Sequence, residues 1–116
     1  MHELSIALSI VEIASEEAER QPGSRVEAVH LRLGPLSGVV KDALLFAWQM
    51  ACEETPVAGS HLQIEEVGVC VKCPACGAES EVAGEFDLRC PACGNTATEV
   101  IRGRELEVTA LELEDR

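Results

Sequence analysis

Two six-residue phrases, Lys72-Cys73-Pro74-Ala75-Cys76-Gly77 and Arg89-Cys90-Pro91-Ala92-Cys93-Gly94, carry four thiols as paired Cys-x-x-Cys hooks with thirteen residues between them. That spacing lets four thiolates close a tetrahedron around one Zn²⁺, an ion with no d-electron geometry of its own to satisfy. In each hook the proline after the first cysteine fixes φ and removes a backbone donor. The glycine after the second can take positive φ, so that backbone N–H groups approach sulfur. Lys72 and Arg89 set a cation before each hook and favour the thiolate. With every position of the ion filled by sulfur, none is left for a substrate or an activated water, so the expected zinc is structural.

The remaining chemistry-bearing side chains are dispersed. Cys70 forms another Cys-x-x-Cys with Cys73 but lacks the following proline and glycine, and is expected to be a free thiol. Cys52 reads as a small buried hydrophobe. His30 and His61 fall on strands with no second ligand at useful spacing.

The third histidine stands at the start of the chain. A free amine on Met1, the backbone nitrogen of His2 and its imidazole form adjacent chelate rings, and Glu3 offers a fourth donor through its backbone nitrogen or its carboxylate. Such a set suits Ni²⁺ or Cu²⁺, which accept square-planar nitrogen ligation. A residue as bulky as histidine in second place is expected to leave the initiator Met on.

The elements that must position these groups follow from periodicity. Apolar residues at Leu4, Ala7, Leu8, Val11, Ala14 and Ala18, widened by Ile6, Ile10 and Ile13, predict an amphipathic helix over Glu3 to about Glu19. Gln21-Pro22-Gly23-Ser24 stops it. A strand is expected from Val26 to Leu33, with Val29, Leu31 and Leu33 on one face, then a turn at Gly34-Pro35-Leu36-Ser37-Gly38. A second helix is expected over Lys41 to Glu54, burying Leu44, Leu45, Phe46, Trp48 and Ala51. A strand from His61 to Val69 carries a phase slip at Glu65-Glu66-Val67, and Glu105 to Glu114 reads as a third strand through Leu106, Val108 and Ala110. The expected fold class is α+β: two helices on a small three-stranded mixed sheet, with an inserted four-cysteine zinc-ribbon-like lobe. Residues 1–70 plus 101–116 would form the α/β domain and 71–100 the zinc domain. That second segment is poor in apolar groups, so metal binding is expected to supply most of its folding free energy.

Composition narrows the function classes. The 116 residues hold 9 Lys and Arg against 21 Asp and Glu, a formal charge of −12. A zinc ribbon that grips nucleic acid needs a basic face, because phosphate contacts supply most of the affinity. Neither a basic, apolar leader at the start nor an apolar run long enough for a membrane span is found. A reduced cytoplasm is therefore expected, where paired Cys-x-x-Cys motifs read as metal sites and not as disulfides.

Met1-His2-Glu3-Leu4-Ser5, Leu33-Gly34 followed by Ser37, the two cysteine hooks and an acidic closing strand together resemble the HypA family of nickel-incorporation proteins. The resemblance covers essentially the whole chain. It implies a nickel metallochaperone for the maturation of [NiFe] hydrogenase, with nickel carried at the N-terminus by His2 and Glu3, and structural zinc on Cys73, Cys76, Cys90 and Cys93. It further implies cooperation with a HypB-type GTPase, delivery to the hydrogenase large subunit, and a monomer or weak homodimer. Cys70 lies outside that pattern, a potential competing ligand when zinc is lost.

Three other readings compete. A zinc-ribbon interaction module explains the cysteines and leaves the N-terminus unexplained. A rubredoxin-like carrier would put iron in the hooks. An enzyme lacks any Ser-His-Asp or Cys-His set and any open metal position.

Overall fold

The computed structural model describes residues 3–82, 88–96 and 98–115. Their elements run α1 (Glu3–Arg20), β1 (Ser24–Leu33), a short 3₁₀ turn (Pro35–Ser37), α2 (Lys41–Cys52), β2 (His61–Glu66), β3 (Val69–Lys72), β4 (Glu79–Val82), β5 (Glu99–Arg102) and β6 (Leu106–Asp115). They form two three-stranded sheets, ordered β2-β1-β6 and β4-β3-β5.

The chain divides into two compact units. One comprises the residues up to Leu31, Val39–Glu65 and those from Glu107 onward; the other comprises Arg32–Gly38 and Glu66–Leu106. The second unit contains the 71–100 segment and all four cysteines. Backbone pairing joins its two stretches: Gly34 N–H donates to Glu105 O and Leu36 N–H to Gly103 O, each at 2.8 Å, and Val67 N–H donates to Leu33 O at 3.0 Å. The end of β1 and the turn after it are thereby tied to the connections that lead into β3 and out of β5.

In the first unit α1 carries Glu3 in its first turn and Arg20 in its last, both favourable to the helix dipole. It buries Ala7, Ile10, Val11 and Ala14 at i, i+3, i+4 and i+7 spacing. This stripe is narrower than expected, since Leu4, Leu8 and Ile13 are 42%, 51% and 50% exposed. α1 packs against α2, and Ala7 and Ala14, both fully buried, let the helix approach its neighbours closely.

α2 buries Leu44, Ala47, Trp48, Ala51 and Cys52. Phe46, expected inside, is 69% exposed, because positions two apart on a helix face opposite sides and Leu44 holds the core side. Leu45 is half-buried. The helix ends before Glu54: Glu53 leaves helical backbone at ψ 132, and Glu54 takes φ 60. Trp48 Nε1 donates to Ser60 O at 3.2 Å, satisfying the one polar atom of a side chain that is 3% exposed.

β1 is central in its sheet and buries Val26, Ala28, Val29, Leu31 and Leu33. Burying each of these valine and leucine side chains contributes about 1.5–3 kcal/mol. The phase slip expected inside one long strand is a break: β2 stops at Glu66, and β3 starts in the other sheet at Val69. β6 lies at a sheet edge. Leu106 and Ala110 are exposed there, and only Val108 and Leu111 are half-buried.

In the second unit β3 pairs antiparallel with both neighbours. Cys70 stands opposite Glu81 on β4 and Arg102 on β5, with a bulge between Cys70 and Val71 on the β5 side.

Candidate metal centre

Each hook is a tight turn closed by the same pair of backbone bonds. Gly77 N–H donates to Cys73 O at 2.8 Å and Cys73 N–H to Ala78 O at 2.9 Å; Gly94 N–H donates to Cys90 O at 2.8 Å and Cys90 N–H to Asn95 O at 2.9 Å. Gly77 and Gly94 share φ 75, in the left-handed region, and a Cβ on either would meet nothing within 4 Å. Glycine is needed here for its dihedral freedom, not for space.

The turns bring the four sulfurs together. Cys73 Sγ lies 3.5 Å from Cys93 Sγ and Cys76 Sγ 3.7 Å from Cys90 Sγ, and all four ligand atoms fall within 4.8 Å of one another. A tetrahedral zinc with Zn–S bonds near 2.3 Å requires sulfur–sulfur edges of roughly 3.8 Å, so the cage has the size and donor set of a structural zinc site. Cys73 and Cys90 are buried, while Cys76 and Cys93 face outward.

Backbone amides prepare two of the sulfurs for metal. The Cys76 N–H, helped by that of Ala75, lowers the Cys73 thiol to about 6. The Cys93 and Ala92 N–H groups likewise lower Cys90. Cys93 receives the Asn95 N–H, yet crowding by Cys73 and Cys90 raises it to about 12. Cys76 receives the Ala78 N–H and is raised by Cys73 and Cys90. Four thiolates this close repel one another, and a divalent cation relieves that repulsion.

Cys70 is buried on β3 and stays outside the cage. Cross-strand partners share a face, so it sits on the face where Arg102 Nη2 meets Glu81 Oε1 at 3.0 Å. Cys52 is buried beside Ser60, with Sγ 3.9 Å from Ser60 Oγ, and desolvation raises its thiol pKa. His30 Nε2 pairs with Glu112 Oε1 at 2.8 Å across β1 and β6, and His61 is exposed at the start of β2. Among the described residues, the four-cysteine cage is the only group of His, Cys, Asp and Glu placed to hold a metal.

Of the expected nickel ligands, Met1 and His2 lie outside the described residues. Glu3 opens α1, and its Oε2 accepts a hydrogen bond from Val40 N–H at 3.2 Å. Periodicity gave no sign of this link. The backbone bonding of Gly34 and Leu36 was equally hidden, although the closely spaced glycines and proline of Gly34-Pro35-Leu36-Ser37-Gly38 signalled an unusual backbone there. No described helix is long and apolar enough to cross a membrane.

A family model described as hydrogenase/urease nickel incorporation, metallochaperone, hypA matches residues 1–113. The chain is 52% identical over 112 residues to the hydrogenase maturation factor HypA of Chloroflexus aurantiacus, covering 97% of this chain and 98% of that relative. It is 46% identical over 114 residues to the HypA of Geobacter metallireducens, covering 98% of this chain and 100% of that one. Its fold is similar to the solution structure of the Ni metallochaperone HypA from Helicobacter pylori, with a TM-score of 0.69, 23% identity and full coverage of both chains.

Proposed function

From the premise that this chain belongs to the HypA family of hydrogenase and urease nickel-incorporation metallochaperones, we propose that it carries Ni(II) on the Met1 amine, His2 and Glu3 and passes it on during [NiFe] hydrogenase maturation. Cys73, Cys76, Cys90 and Cys93 hold the resident zinc.

The observation that carries this division is the closed sulfur cage. All four donors lie within 4.8 Å of one another, so a zinc held there is coordinatively saturated and cannot take part in ligand-by-ligand transfer of a second metal. Cargo needs a site whose ligands can leave one at a time. A chain terminus with an imidazole that protonates near neutral pH provides it. The amine and imidazole must lose protons to bind, so nickel affinity falls as pH drops. In this reading a HypB-type GTPase cooperates in delivery, the hydrogenase large subunit receives the ion, and the protein works in the cytoplasm.

The test is metal stoichiometry after equilibrium dialysis. His2→Ala is expected to lose nickel and keep one zinc per chain. Wild-type nickel stoichiometry in that variant would refute the assignment. An extension ahead of Met1 is expected to remove nickel alone, because it replaces the amine with a peptide.

A further inference from the structure

The second helix turns its most apolar free surface toward solvent. Phe46 and Met50 are 69% and 48% exposed, in a chain whose aromatic content is 3%. Four positions apart, they are neighbours on one face, opposite the side that buries Leu44, Ala47, Trp48 and Ala51. The same stripe begins at Asp42 and ends at Glu53, both exposed. Asp42 suits the positive start of the helix. Glu53 and Glu54 stand at its negative end, where carboxylates are disfavoured, and Glu54 adopts φ 60, a left-handed backbone that side chains other than glycine rarely take. The needs of the helix itself explain neither the exposed aromatic nor the acids beyond it.

We propose that the stripe Asp42, Phe46, Met50 and Glu53 is a docking surface that enters an apolar groove with Lys or Arg at each end on a partner protein. Charge selects the occupant. A second copy would set these acids against their own kind in a chain of formal charge −12, and juxtaposed like charges oppose association. A groove with basic ends is matched at both ends. The spacing is that of helix-in-groove recognition, and phenylalanine with methionine is an anchor pair of the kind enriched at interface cores.

The choice of test partner rests on the delivery reading above: it is the HypB-type GTPase of the same organism. The zinc-loaded full chain is titrated into it by calorimetry at low and at high salt. Wild type is expected to bind, more weakly at high salt. Phe46→Ala with Met50→Ala is expected to weaken binding by about tenfold or more. Asp42→Asn with Glu53→Gln is expected to flatten the salt dependence. Leu8→Ala, at a site on α1 that is 51% exposed, is expected to bind as wild type. Thermal melting checks that each variant is folded.

Unchanged affinity in the Phe46/Met50 variant would overturn the surface and leave nickel carriage standing. No binding by wild type would remove the GTPase from the delivery reading and the surface with it. A wild-type dimer in sedimentation, dissolved by Phe46→Ala, would assign the stripe to a second copy and equally overturn the proposal.

Discussion

The carboxylate of Glu3 accepts a hydrogen bond from the backbone N–H of Val40, 3.2 Å away and 37 residues on in sequence. Val40 is the N-cap of α2 and has no side-chain cap of its own. In a capping box the N3 Glu or Gln would reach back to this N–H, but N3 of α2 is Ala43. Glu3 supplies the missing acceptor from the first turn of another helix.

Glu3→Ala is therefore expected to lower unfolding stability by about 0.5–1.5 kcal/mol, the net worth of one hydrogen bond. Glu3→Gln keeps an acceptor and is expected to stay near wild type in urea unfolding. With its carboxylate engaged at Val40, Glu3 is expected to serve nickel through its backbone nitrogen, so Glu3→Gln should also retain nickel. Loss of nickel from a stably folded Glu3→Gln would assign the carboxylate as donor.

Gly34→Ala is expected to cost about 2 kcal/mol or more. A Cβ there would collide with the Gly103 carbonyl, which accepts the Leu36 N–H at 2.8 Å. Gly68→Ala is the contrast, since its nearest neighbour would be Glu81 Oε1 at 3.9 Å. Equal melting temperatures for the two variants would show that the approach of Gly34 to Gly103 is not a structural constraint.

Chelation of zinc is expected to strip amide protection from β3, β4 and β5 while α1 and α2 keep theirs. Protection retained in the strands would mean that the metal is not a folding element. Reloading at pH 7 is expected to release close to four protons per zinc, because thiols of an unfolded segment keep their ordinary pKa of about 8.5. A count nearer two or three would mean that the hooks keep their turns without metal, with the Cys76 N–H holding Cys73 at about 6 and already ionised while Cys93, raised to about 12, still surrenders its proton. Calorimetry in buffers of different ionisation enthalpy counts the protons.

Arg25 Nε donates to Glu114 Oε1 at 2.6 Å and holds that carboxyl below its ordinary value. A carboxyl lowered in the folded state stabilises the fold above the ordinary glutamate range and loses that contribution as pH falls through its folded pKa. The melting temperatures of wild type and Glu114→Gln should differ slightly at pH 7 and converge in acid. High salt should shrink the difference, as both side chains are largely exposed.

The parts of the fold that were legible share one property: they depend on near neighbours in sequence. Both helices, the central strand and the two hooks could be read because their periodicity, proline and glycine are local. What stayed hidden depended on distant partners. Phe46 carried a core residue's chemistry but lost its place to Leu44 and Trp48 once α2 was oriented. The slip at Glu65-Glu66-Val67 was visible, yet only the pairing of β3 with β4 and β5 made it a change of sheet. At the metal centre the four cysteines were fully legible, because each hook is closed by its own backbone within six residues. The electrostatic split among them, with Cys73 and Cys90 lowered and Cys76 and Cys93 raised, required knowing which amides point at which sulfur.

The strand order β2-β1-β6 also sets a timetable for synthesis. The zinc-bearing unit draws on residues up to 106, and β6 follows directly after it, so neither unit can be completed early in synthesis. The central strand of the other unit lacks its neighbour on one side until β6 has been made and is free to fold. Until β6 docks, β1 is an unpaired edge, and this interval is the one in which the polypeptide most needs shielding from other chains.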